Sequence, residues 1–106
     1  MVEDITADEL HARIEAGEDV EVVDVRPEWA FQRGRVPGAV NVPISRFARS
    51  VAEREWGQDI VVVCPHGESS LQAARLLEAY EGVAEEARVA NLVGGYDAWE
   101  YDLERE

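Results

Sequence analysis

Ile60-Val61-Val62-Val63-Cys64-Pro65-His66-Gly67-Glu68-Ser69-Ser70 is the stretch on which the reading of this chain turns. Its first five residues form the most apolar run in the protein. They do not alternate with polar residues, which is the pattern of a strand buried on both faces at the centre of a parallel sheet. Beyond the loop, Leu71, Ala74, Leu77 and Ala79 or Tyr80 recur at helical spacing, predicting a helix from about Ser70 to Tyr80. A strand, a tight loop and an amphipathic helix in that order place Cys64 where open α/β sheets receive their ligands, at the carboxyl end of a strand.

Outward from this centre the same alternation continues. Thr6-Ala7-Asp8-Glu9 fits a capping box, so a helix should run from there to about Glu15, with Gly17 ending it. Glu21 to Arg26, EVVDVR, reads as a buried strand. Pro27 to Pro43 holds three prolines and two glycines and should be mostly turn, with a weak helical turn at Trp29 to Arg33 and a short strand around Val40 to Val42. Ser45 is placed to cap a helix reaching about Glu53. Arg88 to Leu92 is a further strand, Gly94-Gly95 a turn, and Tyr96 to Tyr101 a short last helix, after which a polar tail should fray. The expected architecture is one α/β domain spanning residues 1–106, with a mainly parallel sheet of about five strands covered by helices on both faces.

The loop is where chemistry is expected. Pro65, His66, Gly67, Glu68, Ser69 and Ser70 are short, polar or Gly-containing, so the backbone can wrap around Cys64 and point its amides inward. Such a nest at a helix N-terminus binds anions and stabilises a thiolate. The alternative is that Cys64 merely ends a core strand, as free cysteines often do. His66 could donate to an anion, tune the thiolate or simply be solvated. Ser69 and Ser70 could donate hydroxyls to the same anion, with helix capping the favoured role for Ser70. Trp29, Phe31, Trp56 and Trp99 read as core or rim aromatics, and Pro37, Gly38 and Asn41 as turn and strand-entry residues.

Composition narrows the partners. The chain of 106 residues carries 23 Asp and Glu against 10 basic residues, a net charge of −13, and every basic residue is arginine. A polyanion needs basic patches, so nucleic acid is disfavoured. No apolar run approaches the roughly 18 to 20 residues of a membrane span, and the start has no signal-peptide pattern, so a cytoplasmic protein is expected. With a single cysteine there is no internal disulfide, and with His11 and His66 far apart in sequence no zinc site or other metal is expected. Such an acidic, lysine-free surface repels itself in dilute buffer but is screened within about 3 Å in molar salt, which points to a salt-rich, halophilic setting.

Three segments together resemble the rhodanese superfamily, which includes the sulfurtransferases, and they cover nearly the whole chain. Asp24-Val25-Arg26, Phe31, Gly34 and Val36-Pro37-Gly38-Ala39-Val40-Asn41-Val42-Pro43 are similar to its DVR, aromatic, G-H-I-P-G-A-x-N-I-P pattern. Ile60 to Ser70 resembles its active-site strand, cysteine and loop, and Leu92-Val93-Gly94-Gly95-Tyr96-Asp97-Ala98-Trp99 its closing G-G-x-x-x-W element. The departures are Arg35 in place of a usual His and Ala30 in place of an acidic residue that often precedes the aromatic. The second leaves Glu28 as the substitute partner for Arg26. Ser69 stands five places after the cysteine, where active thiosulfate sulfurtransferases often have Arg.

The resemblance implies that Cys64 is the catalytic nucleophile, that the loop from Pro65 to Ser70 holds an anion, and that Asp24 and Arg26 lie near that loop, with Arg26 steadying it or the two forming a structural ion pair at a strand end. Arg35 or Arg75 could supply charge from outside. The implied activity takes sulfur from a small sulfane donor such as thiosulfate, as a persulfide, to cyanide, a thiol or a sulfur-relay protein, without metal or organic cofactor. Two rivals stand beside it. A non-catalytic binding or regulatory module would keep the fold and use the loop for a peptide or anion. A cysteine phosphatase or arsenate reductase would have a loop one residue longer ending in Arg, whereas position 70 is Ser.

Overall fold

A computed structural model describes residues 1–105. Along the chain it forms β1 (Glu3–Ile5), α1 (Ala7–Glu15), β2 (Glu21–Asp24), α2 (Glu28–Arg33), β3 (Val40–Asn41), α3 (Phe47–Glu53), β4 (Asp59–Val63), α4 (Ser69–Ala79) and β5 (Arg88–Leu92). A 3-10 turn, Ile44–Arg46, leads into α3, and another, Gly95–Ala98, follows β5. The strands form one parallel sheet in the order β1-β5-β4-β2-β3, so β4 is the central strand the apolar run predicts.

Strand order reverses between β2 and β4. The chain steps from β2 outward to β3, then returns across β2 to β4 and goes on to β5. That reversal is the topological switch point at which open α/β sheets place their ligands, and Cys64 is the first residue past the end of β4 there.

Two apolar layers hold the sheet. Ile60, Val62 and Cys64 face α3 and α4, packing with Phe47, Val51, Ala73, Ala74 and Leu77. Val61 and Val63 face the other way, packing with Leu10 of α1, Leu92 and Trp99. Strand alternation assigns each residue of β4 to one layer or the other, and each Val or Ile so buried contributes about 1.5–3 kcal/mol of transfer free energy. The alternation also turns the Cys64 side chain toward the start of α4.

Local signals behave as their chemistry dictates in most places. Thr6 and Glu9 form both halves of the capping box, at 3.1 and 2.9 Å, and α1 ends at Ala16 with Gly17 at φ +74°. Four details differ, the first being that the expected helix from Tyr96 to Tyr101 is only the 3-10 turn Gly95–Ala98. Strand β1, a three-residue edge strand beside β5, lies in a stretch from which no strand was expected. Ser45 does not cap α3; it lies inside the preceding 3-10 turn, and α3 starts with no side-chain cap. The polar stretch after Tyr101, expected to fray, is paired as far as Glu104, whose amide and carbonyl exchange hydrogen bonds with Arg35 at 2.8 and 3.1 Å. Among the described residues no helix is long and apolar enough to cross a membrane, and no group of His, Cys, Asp and Glu could hold a metal ion.

Candidate active site

Cys64 leaves the central strand buried, at 1% exposure, with its sulfur enclosed by its own loop. The Gly67 amide donates to Sγ at 3.0 Å. Gly67 has φ +94°, and a Cβ there would lie 3.1 Å from the Gly94 nitrogen, so both the loop's curvature and its packing call for glycine. Ser70, fully buried in the first turn of α4, places Oγ 3.1 Å from Sγ. Burial pushes the Cys64 thiol up. The Ser70 hydroxyl and the amides of Ser70, Gly67 and His66 pull it down, and the net shift is downward from 9.0. The donors of the loop thus outweigh burial and favour the charged form of the sulfur.

Ser70 corrects the capping expectation. The N-cap position of α4 belongs to Glu68, and the Ser70 hydroxyl reaches both the sulfur and Oδ1 of Asn91 instead. Its place one residue inside the helix aims it at the sheet, where a hydroxyl at the cap would aim along the backbone. Pro65, Glu68 and Ser69 are exposed on the outer side of the loop. His66 is also turned outward, 68% exposed, with Nδ1 2.6 Å from Asp97 Oδ2. The 3-10 turn after β5 backs the loop, because the amides of Tyr96 and Asp97 donate to the carbonyls of Cys64 and Pro65 at 2.9 and 3.0 Å.

Asp24 and Arg26 form a second layer of support. Asp24, fully buried at the end of β2, accepts two hydrogen bonds from Arg26 Nε, both at 3.1 Å, and one from its terminal nitrogen at 2.8 Å. The partner of Arg26 is thus Asp24, two residues away, and Glu28 is not needed. The guanidinium also donates to the Gly34 carbonyl at 2.7 Å and lies 3.7 Å above the Tyr96 ring. The Tyr96 hydroxyl closes the circuit by donating to Asp24 at 2.7 Å and accepting from the Val36 amide at 3.1 Å. Asp24 and Arg26 act on the loop through Tyr96, whose amide holds the Cys64 carbonyl.

The described contacts of Arg35 lie with α2 and the C-terminal stretch. Its side chain donates to the Phe31 carbonyl at 3.3 Å, lies over the Phe31 ring and reaches Glu104, directed at the C-terminal stretch. Arg75 lies on the exposed side of α4. Asn91, Tyr96 and Asp97 were not singled out from sequence as site residues. Asn91 left one trace there, as the polar residue inside the otherwise apolar run Val89 to Leu92. Two surface grooves lie at the opposite edge of the sheet or beyond it, lined by residues such as Glu3, Arg13, Asp59 and Arg88 or Glu78, Val83 and Val89, and contain nothing from the loop. A donor of a few atoms held by amides needs no large cavity, so the geometry of the loop outweighs them.

A cysteine cradled by loop amides at the switch point of a small parallel sheet defines a class of small α/β domains with a loop-held thiol. The chain belongs to the rhodanese-like domain family, whose model matches residues 6–102. It is 34% identical over 100 residues to a sulfurtransferase of Allochromatium vinosum, covering 93% of this chain and 89% of that one. It is 36% identical over 85 residues to the thiosulfate sulfurtransferase GlpE of Pseudoalteromonas translucida, covering 78% and 75%. A 60-residue stretch is 50% identical to the HTH-type transcriptional regulator Rv0324 of Mycobacterium tuberculosis and spans 26% of its length. The rhodanese-like domain protein of Staphylococcus aureus has the same fold, with a TM-score of 0.80 and 27% identity over 99% of both chains.

Proposed function

We propose that this protein is a sulfurtransferase that carries sulfane sulfur on Cys64, taken from a small donor such as thiosulfate. The observation that carries the reading is the sulfur at the end of β4, met by the Gly67 amide and the Ser70 hydroxyl, with a thiol lowered by those contacts. The names of the relatives from Pseudoalteromonas and Allochromatium support it. The Cys64 thiolate attacks the outer sulfur of thiosulfate; the S–S bond of the donor breaks and sulfite departs with the bonding pair. The persulfide anion sits among the amides of residues 66–70, as an oxyanion would. Cyanide, a thiol or a sulfur-relay protein then attacks the outer sulfur and regenerates the thiolate. No step calls for a metal or organic cofactor. We place this chemistry in a reducing, salt-rich cytoplasm, on the strength of the single cysteine and the acidic, lysine-free composition.

The second reading is a binding module. The observation favouring it is Ser69, which leaves the loop without a side-chain cation for the donor's sulfonate end. The discriminating experiment is a thiosulfate-to-cyanide assay of the wild type and Cys64→Ala, in dilute and molar salt, followed by intact mass. Turnover, or one added sulfur, that is lost in Cys64→Ala establishes the carrier. A folded wild type that shows neither establishes the binding module.

A further inference from the structure

Asn91 is 6% exposed and bonds in two directions. Its Nδ2 donates to the Gly67 carbonyl at 3.0 Å, and its Oδ1 accepts from the Ser70 hydroxyl. The orientation of the amide follows from Gly67: a carbonyl only accepts, so the NH2 group must face it and Oδ1 must face Ser70. Ser70 has one hydroxyl proton. Given to Asn91, it leaves only lone pairs toward Cys64, 3.1 Å away. The thiol S–H can donate to those lone pairs while Sγ accepts from the Gly67 amide. With a neutral thiol every polar group in this buried cluster is satisfied.

Removing the thiol proton breaks that closure. The thiolate and the Ser70 oxygen then face each other with lone pairs unless the hydroxyl turns to sulfur, and when it turns, Oδ1 of Asn91 becomes a buried acceptor without a donor. A persulfide does not incur this penalty in the same way. Its charge lies on the outer sulfur among the loop amides, and the inner Sγ is neutral, so the Ser70 hydroxyl can stay on Asn91.

We propose that Asn91 is a positioning residue that competes with Cys64 for the Ser70 hydroxyl proton, so that the empty site's thiol is lowered less than it would be with that hydroxyl free to turn to sulfur, while the loaded site is left unpenalised. The consequence for the loaded site rests on the sulfur-carrier reading; the placement of the proton does not. The charged groups on the surrounding elements are engaged elsewhere or turned outward. Asp24 of β2 is held by Arg26 and Tyr96, Asp97 is held by His66, Arg88 of β5 pairs with Glu3 at the far end of the strand, and Glu68, Arg46, Arg49 and Arg75 are exposed. None of these side chains bonds to Sγ among the described residues.

The test is a pH titration of the far-ultraviolet thiolate absorbance, read as the difference from Cys64→Ala at each pH so that the three tyrosines cancel and the one cysteine remains. It is run on wild type, Asn91→Leu, Ser70→Ala and the double variant, with Asn91→Ala as a second, less bulky replacement and near-ultraviolet circular dichroism as the check on folding. With Ser70 present, removing Asn91 should lower the midpoint by about one pH unit, a roughly tenfold gain in thiolate below it. In the Ser70→Ala background the same substitution should not lower it. Loosening of Gly67 acts equally in both backgrounds, so the difference between them isolates the hydroxyl. An equal shift in both backgrounds, or no lowering with Ser70 present, overturns the proposal. Wild type against Ser70→Ala gives an independent reading by Raman spectroscopy: the S–H band should rise in frequency when its acceptor is removed, and an unmoved band also overturns it. If the midpoints behave as expected but Cys64 never loads sulfur, the proton placement stands and the carrier reading falls. Sulfur transfer with an Asn91-independent midpoint gives the reverse.

Discussion

Between Gly95 and the Cys64 loop there is no room for a side chain. A Cβ at Gly95 would lie 2.1 Å from the Cys64 carbonyl oxygen and 2.7 Å from the Pro65 carbonyl carbon, on a backbone at φ +59°. Gly17 also has positive φ, +74°, but open space around it. Gly17→Ala should therefore cost only the left-handed strain of about 1–2 kcal/mol. Gly95→Ala should cost clearly more in urea unfolding and should also change the alkylation rate of Cys64; equal losses for the two would show that the contact with the loop is not tight. Tyr96 makes a second prediction at this scale. Burial, then the charge of Asp24 and the hydrogen bond to it, raise the Tyr96 phenol well above its ordinary 10.0. The neutral phenol is thus favoured in the folded state, and its contribution is fully present below pH 10. It is lost as pH rises from there toward the folded-state value, because the unfolded chain ionises first. Tyr96→Phe should cost about 1–3 kcal/mol at neutral pH by leaving the Val36 amide and Asp24 each short of a partner. Its stability should then fall less steeply than the wild type's above pH 10, which chemical denaturation at pH 7 and pH 11 measures.

Among elements, α1 is the one whose start is written most completely in local chemistry. Thr6→Ala removes the hydroxyl that accepts the Glu9 amide and should lower stability by about 1 kcal/mol in thermal or urea unfolding while leaving Cys64 reactivity unchanged. A change in that reactivity would mean that α1 is coupled to the loop across the sheet. The same local completeness explains what was legible beforehand. The run Ile60–Val63 is apolar on both faces because both faces are covered; of the spacing after Ser70, Ala74 and Leu77 meet the sheet together with Ala73, while Leu71 lies outside both layers and Ala79 is exposed. Strand β1 was hidden because an edge strand of three residues needs only Ile5 inward, while Glu3 and Asp4 remain exposed and read as a polar terminus. Ser70 was misread because a serine beside a helix start has a local partner available in sequence, whereas its actual partners lie six and twenty-one residues away. Tyr96 and Asp24 meet across 72 residues, and no spacing rule connects them. Position along the chain thus reported the strands other than β1, the α-helices and the cysteine. The groups that orient the cysteine are fixed by tertiary contacts that single residues do not announce.

For the whole molecule the governing quantity is the net charge of −13. Self-repulsion predicts that the melting temperature rises as KCl is added to dilute buffer, with most of the gain at low concentration, where the screening length changes most in absolute terms. Charge also affects the encounter with an anionic donor, but the acid is not spread evenly. Residues 26–49 hold five arginines against a single carboxylate, Glu28; they follow β2 and flank β3, and Phe47, between Arg46 and Arg49, packs in the same apolar layer as Cys64. Arg26 and Arg35 are engaged internally, while Arg46 and Arg49 are exposed. At 0.01 M salt the screening length is about 30 Å, comparable to the 34 × 28 × 22 Å extents of the molecule, so an approaching anion meets the charge of the whole protein. At about 0.15 M it is near 8 Å, and the anion meets mainly the side it approaches. The rate of Cys64 modification by iodoacetate, divided by that for neutral iodoacetamide, should therefore rise between those two concentrations. It should then level off or fall toward molar salt as Arg46 and Arg49 are screened in turn. A ratio that falls steadily from the lowest salt would mean that the local arginines already outweigh the global charge; a steady rise to molar salt would mean that they do not offset it at the loop.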